Sequence, residues 1–300
     1  MLKRIGLFLL TNLVVMMTIS VLLFVAESFA PGLFTQTEFG GIAAFSLMWG
    51  MTGSLVSLLM SKQMAKWSMG VQVLDAHAAS PEAADLVRRV HSLARQAGLT
   101  TMPEVGVFES DDLNAFATGP TRNNSMVAVS TGLLRRMSRS EADAVLAHEV
   151  SHIANGDMVT MALIQGVVNA FVLFAARAIA MVIANGRDER DRYFARRMIT
   201  FVLEILFSIA ATLITSAFSR AREYRADAGA ARLVGPGAMV AALQRLGGTA
   251  EVDDDRAPAL AAFKIRGRGG WSAWFSTHPP IEARIEALRA YRGGTGPSLG

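Results

Sequence analysis

The chain has 300 residues, enough for two ordinary domains or for one domain with membrane spans. Hydrophobic residues make up 52% and charged residues only 18%, below the roughly one quarter of a soluble domain, so a membrane protein is expected. The formal charge is +4, but the basic residues cluster beside apolar runs, which suits membrane flanks and not nucleic acid; with no cysteine, disulfides and thiolate metal sites are excluded.

Residues 5–26 form an uncharged run behind Lys3 and Arg4, long enough for a bilayer core. The run exceeds the roughly 7–15 residues of a signal-peptide core, and Glu27-Ser28-Phe29-Ala30 is a poor cleavage site, so it reads as a retained anchor. Residues 39–60 form a second such run. There Ser46, Gly50 and Ser54 recur every fourth position, giving a small face able to pack closely on another helix. Glu27 and Glu38 but no Lys or Arg lie between the two runs, and Lys62 and Lys66 follow the second. The positive-inside rule then places the N-terminus, and everything after Met60, in the cytoplasm.

Ser80-Pro81 opens a helix that runs to Gly98, with Leu86, Val90, Leu93 and Ala97 on one face. Short strands are expected at 104–109, 114–118 and 126–131. Ser138 and Glu141 have the spacing of a capping box, so the next helix starts near Arg139.

That helix carries Ala144 to Asp157, "AVLAHEVSHIANGD", with two of the chain's five histidines. Residues four apart share a helix face, so His148 and His152 present two imidazoles to one point. Zinc accepts nitrogen and oxygen donors in a tetrahedral set when thiolates are absent, and two helical histidines supply half of it. Glu149, beside the first, reaches a metal-bound water rather than the metal, where it takes a proton as the water attacks a carbonyl. Val145, Leu146, Ala147, Val150 and Ile153 make the surroundings apolar, which argues against a pair of idle surface histidines.

Two further apolar runs follow at 158–184 and 199–218, interrupted by Arg177 and Glu204. In a helical hairpin these two charges sit at similar depth, where they either pair or snorkel separately to the interface. The connection 185–198 carries Arg187, Arg190, Arg192, Arg196 and Arg197. If it lay outside the cell it would run against the charge rule, so the hairpin could instead dip into the bilayer or pack on the protein, although four spans in all are expected.

A third ligand is still required. A metzincin would need glycine at position 155 and histidine at 158, but Asn155 and Met158 stand there. Ser219 to Asp227, "SRAREYRAD", offers Glu223 and Asp227 on one helix face. Glu223 either completes the ligand set while Asp227 fixes a ligand histidine, or pairs with Arg220, Arg222 or Arg225 as helix charges do. A hairpin returns His152 and Glu223 to the same side. Helices at 235–246 and 279–291, a mobile loop at 251–270 and a disordered tail from Gly293 complete the chain.

The expected division is an N-terminal transmembrane pair at 1–60 (spans at about 5–26 and 39–60), a cytoplasmic protease part at 61–157, a second membrane pair at 158–218 (helices at about 158–184 and 199–218), a second protease part at 219–292, and a tail at 293–300. With "HEVSH", the paired runs before and after it, and "SRAREYRAD", the chain closely resembles the HtpX family, bacterial membrane zinc endopeptidases related to the CAAX prenyl endopeptidases. The resemblance implies a mainly α fold with a small β-sheet, combining integral membrane helices with a zincin-like (gluzincin) domain. It implies one zinc ion held by His148, His152 and Glu223, with Glu149 as catalytic carboxylate and Asp227 behind a ligand. "LNAFATG" resembles the family's substrate-side edge strand, which makes Asn114, Ala115, Phe116 and Ala117 candidates for pairing with an extended peptide. "STHPPIEARI" matches a family segment near the active site, where His278 or Arg284 would stabilise an oxyanion. The expected partners are the lipid bilayer and damaged or misassembled membrane proteins of the bacterial inner membrane. The alternative is a membrane scaffold that keeps zinc only for folding, which would show a fourth protein ligand in place of water.

Overall fold

The computed structural model describes residues 38–75, 80–184, 189–256 and 278–291. The first expected span and the tail lie outside them, as does most of the expected loop at 251–270. The chain divides into two compact units, one of Met1–Leu59 with Thr160–Thr215 and the other of Met60–Val159 with Ser216–Gly300.

The described part of the first unit is built of apolar helix. Three helices among the described residues are long and apolar enough to cross a membrane, Gly40–Met69, Asp157–Ala184 and Asp191–Val234. They belong to α1 (Glu38–Met69), α5 (Asp157–Ala184) and α6 (Glu189–Val234). Leu163, Val167, Phe171, Val182, Phe201, Leu206 and Ile209 are exposed on α5 and α6, as suits side chains facing lipid. The small face expected on α1 is used. Ser46 is fully buried, and a β-carbon on Gly50 would lie 2.4 Å from the backbone nitrogen of Ala170, so only glycine allows this approach. Arg177 and Glu204 do pair, at 2.8 Å.

Two helices outrun their apolar stretches. α1 continues to Met69. α6 begins at Glu189, so Arg190, Arg192, Arg196 and Arg197, expected in a loop, are helical. Arginine and glutamate are good helix formers, and Arg197 donates to the Tyr193 hydroxyl one turn back at 3.2 Å.

The second unit holds a four-stranded sheet in the order β1-β2-β4-β3, from β1 (Gln72–Leu74), β2 (Glu104–Phe108), β3 (Ala115–Thr121) and β4 (Asn124–Ser130). β2 and β4 run parallel; β1–β2 and β3–β4 are antiparallel. β4 is central and buried from Ser125 to Ser130, whereas β3 is an edge strand. Gly119, at φ 140, lets β3 bend close against Asn124 at the hairpin.

α2 (Pro81–Gln96) starts as its sequence dictates: Ser80 Oγ accepts from the Ala83 N–H, Pro81 opens the helix, and Leu86, Val87, Val90, Leu93 and Ala94 are buried. After the short α3 (Thr131–Arg136) comes α4 (Arg139–Asn155). Both halves of its capping box form, Glu141 N to Ser138 Oγ at 3.3 Å and Ser138 N to Glu141 Oε2 at 2.8 Å. Ala142, Ala144–His148 and Val150–Ile153 are all buried, so α4 is a core helix enclosed on most of its faces. Leu146, Val150 and Ile153 are fully enclosed, each worth about 1.5–3 kcal/mol relative to exposure. α7 (Pro236–Arg256) and α8 (Ile281–Ala290) complete the core through Met239, Leu243 and Leu288.

Candidate metal centre

α4 carries His148 and His152 one turn apart, both buried. Their Nε2 atoms are 3.1 Å apart. α6 brings Glu223, 1% exposed, to the same point: its Oε2 is 3.5 Å from His148 Nε2 and its Oε1 3.4 Å from His152 Nε2. The three residues are the ones able to hold a metal ion among those described.

Each imidazole is oriented from behind by a carboxylate. His152 Nδ1 donates to Asp157 Oδ2 at 2.7 Å. His148 Nδ1 sits 2.9 Å from Asp227 Oδ1. A carboxylate has no proton to give, so both Nδ1 atoms carry the N–H and both Nε2 atoms are turned inward, as lone pairs whenever the rings are neutral. Burial alone would lower the His148 pKa, but Asp227 and Glu223 raise it to about 9. Burial opposes a rise at His152 too, and Asp157 with Glu223 overcomes it. The pocket therefore draws in positive charge.

These residues fit a zinc ion. Donors held at about 2.0–2.2 Å in a tetrahedral set lie about 3.4 Å from one another. The two Nε2 atoms are 3.1 Å apart and each has one Glu223 oxygen at a similar distance, Oε2 3.5 Å from His148 and Oε1 3.4 Å from His152, close to that spacing. Glu223 Oε1 is buried with no hydrogen-bond partner among the described residues, an orphan acceptor that a cation would satisfy.

Asp157 is 1% exposed and was not singled out in the sequence as a site residue. It follows Gly156, whose φ of 72 ends α4 in a left-handed cap; the chain turns there and sends the Asp157 carboxylate back to His152. Arg225 Nη2 meets the other Asp157 oxygen at 3.4 Å. The Gly-Asp pair directly after the helix was the available signal.

The remaining candidates divide. Glu149 is half-buried, and its negative charge favours the protonated forms of His148 and His152, which places it beside the cluster. His278 Nδ1 contacts Glu223 Oε2 at 2.9 Å while its side chain is 62% exposed. Arg284 is buried and turns its guanidinium onto Asp227 with donations of 2.8 and 2.6 Å, leaving Nη1 3.7 Å from Glu223 Oε2. Both donations go to the carboxylate that contacts His148. Of Arg220, Arg222 and Arg225, the alternative partners of Glu223, Arg222 approaches it, at 3.7 Å. Ala115, Phe116 and Ala117 lie on β3, paired on one side with Val129, Ala128 and Val127; no strand occupies the other side among the described residues. Asn114 precedes the strand, its N–H given to Ser130 Oγ at 3.1 Å and its carbonyl accepting from Ser130 N at 2.9 Å.

Comparison with known proteins agrees with this geometry. The profile described as Peptidase family M48 matches residues 80–292. Protease HtpX of Aeromonas hydrophila is 51% identical over 294 residues, covering 96% of this chain and 99% of that protein. Protease HtpX of Tolumonas auensis is 48% identical over 301 residues, covering 97% and 100%. The crystal structure of S. mikatae Ste24p superposes with a TM-score of 0.63 at 18% identity, over 96% of this chain and 67% of that one, a likeness of fold.

Proposed function

The chain belongs to peptidase family M48 and is a membrane metallopeptidase, and on that premise we propose that it is a zinc-dependent endopeptidase that cuts membrane proteins at the cytoplasmic face of a bacterial inner membrane. Its main support is the convergence of two Nε2 lone pairs and the Glu223 carboxylate within 3.5 Å, with carboxylates fixing both imidazoles from behind.

In the proposed assignment His148, His152 and Glu223 hold one zinc ion. Bound there, zinc supplies Lewis acidity to a water and to the scissile carbonyl. Glu149 takes the proton of the attacking water and delivers it to the leaving amine. An extended substrate pairs with the free edge of β3, so main-chain hydrogen bonds from Ala115 to Ala117 align it, a mode that favours unfolded or damaged segments over folded ones. His278, exposed and touching Glu223, is placed to meet the substrate. Arg284 and Asp227 keep His148 in the required tautomer. The cytoplasmic placement is supported by Lys62 and Lys66 at the end of α1, where the charge rule puts the inside.

The test is a Glu149→Gln variant of the purified chain, assayed on a model membrane substrate beside a zinc measurement. The expected outcome is zinc content unchanged and cleavage reduced by about 10²–10⁴-fold. Chelation should silence the parent and zinc restore it. Undiminished cleavage by Glu149→Gln would remove Glu149 as the base.

A further inference from the structure

The two helices that carry the donors, α4 and α6, touch at a point where one of them has no side chain. Gly229 lies two positions beyond Asp227; Ser151 immediately precedes His152. Both are buried. A β-carbon on Gly229 would lie 2.5 Å from Ser151 Oγ and 2.7 Å from Ser151 Cβ, with Ser151 Cα at 3.9 Å. A hydroxyl can rotate away, but a Cβ is fixed by the backbone of α4. The hydroxyl is already folded back on its own helix, donating to the Ala147 carbonyl at 2.7 Å.

The need for glycine here is spatial. Gly229 is not among the glycines with positive φ, and alanine would be the better helix former. Carbon atoms rest about 3.5–4.0 Å apart, so any side chain at 229 must move α6 off α4 by about 1 Å. Metal sites tolerate far less, since ligand distances hold within about 0.2 Å. A displacement five times that tolerance would carry the Glu223 carboxylate out of reach of an ion gripped by the two imidazoles.

We propose that Gly229 is a positioning residue for the metal centre: its missing side chain lets α6 cross α4 closely at Ser151, the helix spacing that brings Glu223 to His148 and His152. The proposal rests on the zinc reading of those three residues. Gly229 is not a donor; it acts through the spacing of the elements that carry the donors.

The test uses zinc affinity, measured by competition with a chromophoric chelator on the detergent-solubilised full chain, with helix content followed by circular dichroism. Gly229→Ala should keep its helix content yet bind zinc roughly 10–100-fold more weakly, the scale seen when the support of a ligand is lost. Ser151→Gly alone should bind as the parent does. The double variant Ser151→Gly/Gly229→Ala transfers the β-carbon from one helix to the other and leaves only the 3.9 Å approach to the residue 151 Cα, an ordinary contact, so it should regain the lost affinity. Parental affinity in Gly229→Ala, or a double variant no better than Gly229→Ala, would overturn the proposal while leaving the zinc site intact. If Gly229→Ala does not fold, the double variant still decides, since zinc binding at parental strength supports the spacing and its loss refutes it. A parent that binds no zinc would instead sink the underlying site.

Discussion

Charge sits in apolar surroundings at two places in this chain, and the two are built on opposite plans. In the apolar unit, Arg177 Nη1 meets Glu204 Oε1 at 2.8 Å and the Leu173 carbonyl at 3.1 Å, with the guanidinium 5.2 Å from the Phe45 ring centroid. One cation answers one anion, and the group is closed. Around Glu223 the arrangement is open. Two imidazole lone pairs and a carboxylate face one another, with Asp157 and Asp227 holding the ring N–H groups on the outer side. An ionisable residue in an apolar stretch is therefore not by itself a mark of chemistry; an excess of converging acceptors is.

Breaking the open cluster should have the largest effect. His152→Ala removes one of the three donors, and stoichiometric zinc, measured by elemental analysis after desalting, should be lost together with all cleavage. Asp157→Asn leaves every donor in place but exchanges the carboxylate behind His152 for an amide, so zinc affinity should fall by about 10–100-fold. An unchanged affinity would show that Asp157 only caps the turn. Breaking the closed pair should do less. Glu204→Gln leaves the Arg177 guanidinium without its anion in an apolar stretch and should lower stability by up to about 3–5 kcal/mol, the cost of a broken buried pair. The readout is a lower unfolding temperature in detergent with zinc content unchanged. If Glu204→Gln abolished proteolysis at full zinc occupancy and undiminished thermal stability, the pair would belong to the chemistry and the comparison would fail.

What the sequence revealed followed from local chemistry. The starts of α2 and α4 were legible because Ser80-Pro81 and the Ser138–Glu141 box act within one turn. The histidine pair was legible because helical periodicity alone puts positions 148 and 152 on one face. Asp157 was not: five residues from His152, it lies off that face until the left-handed turn at Gly156 redirects the chain. α6 is longer than its apolar run because arginine and glutamate extend a helix readily, although a charged stretch beside such a run reads as a loop. β1 went unseen because three residues carry no measurable alternation. His278 or Arg284 is a candidate to face an oxyanion, and the fork of the Arg284 guanidinium onto Asp227 is a pairing that only the packing of α8 against the core discloses.

The central claim is that α4 and α6 together grip one divalent cation through three side chains. Diffraction from zinc-loaded crystals at the zinc absorption edge tests it most directly. The expected anomalous peak lies about 2.0–2.2 Å from His148 Nε2, His152 Nε2 and a Glu223 oxygen, with the fourth position filled by solvent. A peak elsewhere, a Glu223 carboxylate beyond bonding distance, or a protein side chain in the fourth position would contradict it.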